Sequence, residues 1–156
     1  MTGVQTCALP IFERSPQAAA LESKLGLALA RAGSLEEGLR AVRHAVQQRP
    51  DWGELHDRLV LLLVWLERHP EAALAAENKL RRVPGTSASD FLRAARLWTG
   101  QGDWARATAV LHVGRQLHAG DPLLEQELAS LATQQGAGVN QLVTALQNSG
   151  TEAAQD

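Results

Sequence analysis

Residues 21–50 read LESKLGLALARAGSLEEGLRAVRHAVQQRP. Two runs in which apolar residues return every three or four positions are separated by Gly33-Ser34 and closed by Pro50. That spacing predicts two amphipathic helices joined by a tight turn, because residues three and four apart share one helical face. Gly26 in the first run and Gly38 in the second mark where the two axes can approach. Helices pack closely only where one partner carries little side chain, and larger apolar residues then fill the space around that point.

The pattern returns along the chain. A shift of 34 residues carries Pro50 to Pro84, Leu25 to Leu59, Leu29 to Leu63, Gly38 to Ala72 and Val42 to Ala76. A further shift of 35 carries Leu59 to Ala94, Val60 to Ala95, Leu63 to Trp98, Ala72 to Ala107 and Ala76 to Leu111. Repetition at this period is the signature of a stacked helical-repeat architecture. Local punctuation agrees. Ser15-Pro16 opens a helix over about 16–32, and Ser34 with Glu37 forms a capping box for a second reaching Gln48. Asp51 with Glu54 caps a third to Arg68, and His69-Pro70 opens a fourth to Val83. Ser87, Ser89 or Asp90 caps a fifth to Thr99, and Asp103-Trp104 opens a sixth to His118. After Gly120-Asp121-Pro122 a seventh runs to Gln135, and a short eighth spans Val139 to Gln147. The expectation is an all-α solenoid of about eight antiparallel helices, occupying residues 13–148 and followed by a polar, flexible tail at 149–156.

On these residues the chain resembles the tetratricopeptide-repeat (TPR) family, whose units carry a leading Trp, a Leu-Gly pair, an aromatic, a small Ala and a closing Pro. The first unit matches through Leu25-Gly26, Leu29, Gly38, Val42, Ala45 and Pro50; the second through Leu59, Leu63, Ala72, Ala76 and Pro84; the third through Ala95, Trp98, Ala107 and Leu111. Glu22, His56 and Phe91 or Asp90 stand where the leading Trp is common, and a fourth pair, keeping Leu128-Ala129 and Ala132, reads as a degenerate cap. The resemblance implies a right-handed αα-superhelix whose first helices line a concave groove for peptide segments of other proteins.

Helical phase assigns candidate groove residues. On the third helix Leu59, Leu62, Leu63 and Leu66 form a core stripe, while Asp57, Arg58, Leu61 and Trp65 lie opposite. Leu61 and Trp65 are either buried by neighbouring helices or form an apolar floor within a charged rim. Equivalent positions are Lys24, Leu27 and Arg31 in the first unit and Leu92, Arg93 and Arg96 in the third. Arg58, Arg93 and Arg96 could grip an acidic partner by forked hydrogen bonds, or lay their stems over apolar surface with solvated heads. TPR modules that clamp a chaperone's C-terminal carboxylate use a Lys/Asn set. Here those places carry Ser23, Leu27, Arg58, Ser89 and Arg93, of which only the last fits.

Composition narrows the alternatives. A formal charge of −2 and a pI near 6.2 give no basic excess, so nucleic acid is not an expected partner and a helical-repeat RNA binder is disfavoured. The longest apolar run, Leu59 to Leu66, is far short of the roughly 20 residues that span a bilayer. A single Cys forms neither an internal disulfide nor a multi-Cys metal site. His44, His56, His69, His112 and His118 follow no metal-binding spacing, and adjacent His56-Asp57 diverge around the helix. No catalytic residue, cofactor or metal is therefore expected. The expected function is a cytoplasmic protein-binding module or scaffold that holds a peptide or a neighbouring domain. The rival reading comes from Leu55-His56-Asp57-Arg58-Leu59 and Ala72 to Leu80, which resemble helical-repeat tails of bacterial glycosyltransferases and would make the chain a non-catalytic appendage of an enzyme. Richness in Ala, Arg and Leu points to a GC-rich bacterium.

Residues 1–12, MTGVQTCALPIF, stand apart in composition. They resemble the in-frame translation of a short-read sequencing adapter and lack the charged n-region and continuous apolar stretch of a signal peptide. They are read as a non-native leader, which places the natural start upstream.

Overall fold

The computed structural model describes residues 15–152, with side chains of the last helix described as far as Gly138 and at Gln141. Among the described residues there are seven helices: α1 (Pro16–Arg31), α2 (Leu35–Gln48), α3 (Gly53–Trp65), α4 (His69–Arg82), α5 (Ala88–Gly100), α6 (Trp104–Leu117) and α7 (Pro122–Glu152). Each packs on its sequence neighbours; α1 also touches α3 and α5 touches α7. The odd-numbered helices therefore form one row and α2, α4 and α6 the other. One apolar core runs through the whole stack, from Ala30 and Leu39 to Leu124 and Leu131.

Small residues set the spacing within each pair. A Cβ on Gly38 would stand 2.4 Å from the Gly26 carbonyl oxygen, and one on Gly26 would stand 2.7 Å from that of Gly38. The α1 and α2 backbones are thus in direct contact. Ala72, Ala95 and Ala107 hold the corresponding crossings and are buried. In the third unit Gly114 admits Phe91, whose Cγ would lie 2.8 Å from an added Cβ.

The turns between paired helices also repeat. Gly33, Glu67 and Gly102 all have positive φ (96°, 57° and 75°). The N–H of each following residue reaches back to a carbonyl of the helix just ended: Ser34 to Leu29 at 2.9 Å, Arg68 to Leu63 at 2.8 Å, Asp103 to Trp98 at 3.0 Å. This is the Schellman closure. It ends α3 at Trp65, although no glycine stands there to signal it.

Three sequence expectations are corrected. The seventh and eighth helices are one, α7, of 31 residues; Gly136 and Gly138 weaken a helix by about 1 kcal/mol each but remove no hydrogen bond. Ser34 makes no side-chain cap bond to the second helix. Asp51 does not cap α3 but pairs with Arg49 at 3.1 Å, and Trp52 occupies the cap position. Leu25 is 56% exposed, because no described helix precedes α1 to cover it. By contrast, Ser15 accepts from the Ala18 N–H at 3.1 Å, and Ser87 with Asp90 forms the box at α5, the Ser87 N–H donating to the carboxylate at 2.9 Å. Residues 1–12 lie outside the described residues, as do 153–156 of the expected tail; the tail's first residues, 149–152, are helical.

Two substitutions test this account by urea unfolding. Gly38→Ala should lower stability by about 2–3 kcal/mol, since the new methyl meets backbone that cannot rotate away. Glu67→Gly should raise it by about 0.5–1 kcal/mol, the left-handed strain relieved exceeding the added freedom of the unfolded chain.

Candidate functional site

The row of odd-numbered helices carries the candidate site. At its middle, on α3, Leu61 and Trp65 are one turn apart and 40% and 42% exposed. Neighbouring helices therefore do not bury this pair. The core stripe of the same helix divides as its phase requires: Leu62 and Leu63 are buried, while Leu59 and Leu66 are half-buried against them.

Around that apolar pair runs a ladder of polar links between successive odd-numbered helices. Arg58 donates to Ser23 of α1 and to Glu54. Arg93 of α5 donates to Asp57 of α3 at 2.7 Å. Arg96 of α5 grips Glu127 of α7 through two bonds of 3.0 and 3.3 Å. All three arginines offered as grips for an acidic partner are therefore bonded within the fold. They differ in what remains available: the Arg58 side chain is only 15% exposed, whereas Arg93 and Arg96 are 49% and 66% exposed. A half-open guanidinium has five N–H donors and keeps some of them for a ligand.

Lys24 and Arg31 are exposed, and Leu27 is half-buried against the core. Leu92 is corrected. It is buried in the core, because its register, shared with Ser23 and Asp57, points between adjacent odd-numbered helices.

Sequence phase did not find the node beneath this surface. Lys79 of α4 is 8% exposed. Its Nζ lies 2.9 Å from both oxygens of Asp57 and 2.6 Å from Asp90. The node binds α3, α4 and α5 together. One signal was available: Lys79 falls where the first unit has Ala45 and the third has Gly114, and a lysine in a small-residue position implies a buried partner. Burial alone would push the Asp90 carboxyl up. Hydrogen bonds from Lys79 and from the Ser87 N–H and hydroxyl outweigh it and hold the group below the ordinary aspartate value.

Two of the five histidines serve the framework. His56 is buried and donates through Nε2 to the Pro50 carbonyl at 2.8 Å. His118 does the same to Thr86 at 2.9 Å and stacks edge-on against Phe91. Asp57, its neighbour in sequence to His56, points instead to Lys79 and Arg93. Among the described residues no three His, Cys, Asp or Glu side chains converge as metal ligands.

The even-numbered row has clefts of its own, which the repeat register did not anticipate. One of about 270 Å³ lies between α4 and α6, lined by Leu80, Phe91, Val113 and Leu117; another of about 200 Å³ lies between α2 and α4, beside Leu74. Arg43 and Arg68 close on Glu71 at the α2–α4 edge, both at 2.5 Å. The Arg68 hydrogen bond is the main reason the Glu71 carboxyl lies below the ordinary glutamate value.

Stacked antiparallel pairs, with one row of helices presenting an open polar-rimmed face, define a helical-repeat solenoid. Its fold is the one that tetratricopeptide-repeat domains share. The N-terminal domain of stress-induced protein-1 from C. elegans matches with a TM-score of 0.60 at 19% identity, over 74% of this chain and 95% of that one. The second TPR domain of human RPAP3, solved with an HSP70 peptide, matches at 0.56 and 16% identity, over 76% and 98%. The Yersinia enterocolitica type III secretion translocator chaperone SycD matches at 0.54 and 15%, over 86% and 99%. No family model and no curated protein sequence matches the chain. Among the described residues no helix is long and apolar enough to cross a membrane.

The Lys79 node yields a pH test. Asp90 has a lower pKa folded than unfolded, so its stabilisation is fully present above the unfolded value and is lost as pH falls through the folded one. Asp90→Asn should therefore flatten the decline of the urea midpoint between about pH 5 and pH 3. Lys79→Met should lower stability at pH 7 by about 3 kcal/mol, since it strands carboxylates in a largely buried setting.

Proposed function

We propose that this domain is a protein-binding module whose odd-helix face holds a peptide segment or a neighbouring domain. The observation that carries the reading is the pair Leu61 and Trp65, open to solvent on the central helix of the row. An indole beside a leucine offers a large apolar contact at little conformational cost, and such residues dominate binding energy where a surrounding rim excludes water. Similar folds support this: the RPAP3 domain was solved with an HSP70 peptide, and SycD is a translocator chaperone.

The rim selects charge. Lys24, Arg31, Arg93 and Arg96 present exposed cations around the pair, while the nearby carboxylates Asp57, Glu54 and Glu127 are already engaged. A ligand with an apolar anchor flanked by carboxylates fits this arrangement. Arg58, spent on Ser23 and Glu54, contributes by holding α3 to α1 rather than by contact.

Peptide-display selection against the purified chain provides the test. Enriched sequences should combine an aromatic or leucine anchor with Asp or Glu, and binding should weaken as salt rises. Trp65→Ala should reduce affinity by roughly tenfold or more, and Arg93→Ala by a smaller factor. Selected peptides that bind Trp65→Ala as well as the parent would place the site elsewhere.

A further inference from the structure

The cleft between α2 and α4 holds a polar atom that the fold leaves unused. Its floor is one stripe of α3, His56, Leu59 and Leu63; its walls include Val46 of α2 with Leu74 and Ala75 of α4. His56 is 3% exposed. Its Nε2 lies 2.8 Å from the Pro50 carbonyl oxygen, so that nitrogen carries the proton. Nδ1 is then the bare acceptor of the neutral ring, and it is buried with no hydrogen-bond partner among the described residues. An acceptor shut away from water without a donor costs free energy. The bond to Pro50 accounts for one ring nitrogen and leaves the other unexplained.

In the next unit the same floor position does without an imidazole. A shift of 35 carries His56 to Phe91, which lines the α4–α6 cleft. The walls correspond as well: Val46 to Leu80 after a shift of 34, Leu74 and Ala75 to Ala109 and Val110 after 35. There the carbonyl of the turn before the helix, at Thr86, is bonded instead by His118 of α6, and α5 gives the cleft only a phenyl ring. The two clefts thus share a register and differ in chemistry. One floor is apolar; the other adds an acceptor.

We infer that the α2–α4 cleft is a binding site for a small apolar molecule that carries one hydroxyl donor, of the size of a phenol. The hydroxyl donates to His56 Nδ1, and the carbon skeleton lies against Val46, Leu59, Leu63 and Leu74. The volume suits a single ring: the cleft holds about 200 Å³, and about 150 Å³ is enough for benzene in an apolar cavity. A carboxylate is a poor occupant. It would bring lone pairs to a lone pair, and Glu71, bonded to both Arg43 and Arg68, already places a negative group on the rim. A purely apolar molecule would leave Nδ1 unpaired.

The probes are p-cresol, p-methylanisole and toluene, rings of similar shape of which only the first can donate, titrated into the full chain with isotope-labelled histidine and followed by NMR. p-Cresol should bind roughly tenfold or more tightly than the other two, since a site with a buried acceptor rejects an analogue that cannot donate. The His56 Nδ1 resonance should move with p-cresol alone. His56→Phe, which copies the Phe91 register, should abolish the preference for p-cresol while toluene binds at least as well as to the parent. Leu74→Ala, at an exposed wall position, should weaken p-cresol several-fold. Should His56→Phe fail to fold, the titration of the parent decides. Equal affinity for p-cresol and toluene, no p-cresol binding at millimolar concentration, or an Nδ1 resonance unmoved by bound p-cresol would overturn the assignment, and Nδ1 would then be served by water alone.

Discussion

The contact between the Gly26 and Gly38 backbones sets the terms for everything stacked upon it. Helices joined by a short turn must cross, and the distance at the crossing decides how deeply flanking side chains interlock. Glycine at both positions brings α1 and α2 together; Ala72, Ala95 and Ala107 repeat the approach with one methyl each. Once each hairpin has a fixed shape, the next can rest on it in the same pose. The similar lengths of α2, α4 and α6, 14 residues each, follow from that demand.

Between hairpins the structure relies on a mixture of apolar and ionic contacts, and the ionic ones are not uniform. The first link is a guanidinium on a hydroxyl, the second a carboxylate shared by Lys79 and Arg93, the third a bidentate Arg96–Glu127 pair. The Lys79 node is the most enclosed. Ions taken from water add little net stability, but removing one partner is severe. Lys79 reaches Asp57 of α3 and Asp90 near the start of α5 from α4 at once, so it links both hairpins. A lysine in a small-residue position is tolerated because Gly53 opposite it has no side chain; a Cβ there would meet the lysine Cε at 3.3 Å.

Much of this architecture was legible in the sequence because it rests on residue size and period. The crossings at Gly26, Gly38 and Ala72, the core role of Leu62 and Leu63, and the all-α class follow from spacing alone. What escaped depends on partners that spacing does not name. Glu67 closes α3 in a left-handed conformation that composition assigns to glycine. Asp51 has a capping residue's chemistry but binds Arg49 instead. Leu92 has a groove phase on a single-helix wheel, yet it is buried in the shared core. The exposure of Trp65 was undecidable for the same reason, since an isolated helix cannot report what lies beside it.

The two ends of the stack are chemically unlike. α7 seats Leu124 and Leu131 inward and turns Glu125, Gln126, Ser130 and Gln134 to water, while α1 presents leucines. Stacked hairpins with matching ends would join indefinitely, since a head-to-tail contact that does not close grows into a filament. The unlike exposed faces of α1 and α7 give the described stack no such matched pair of surfaces.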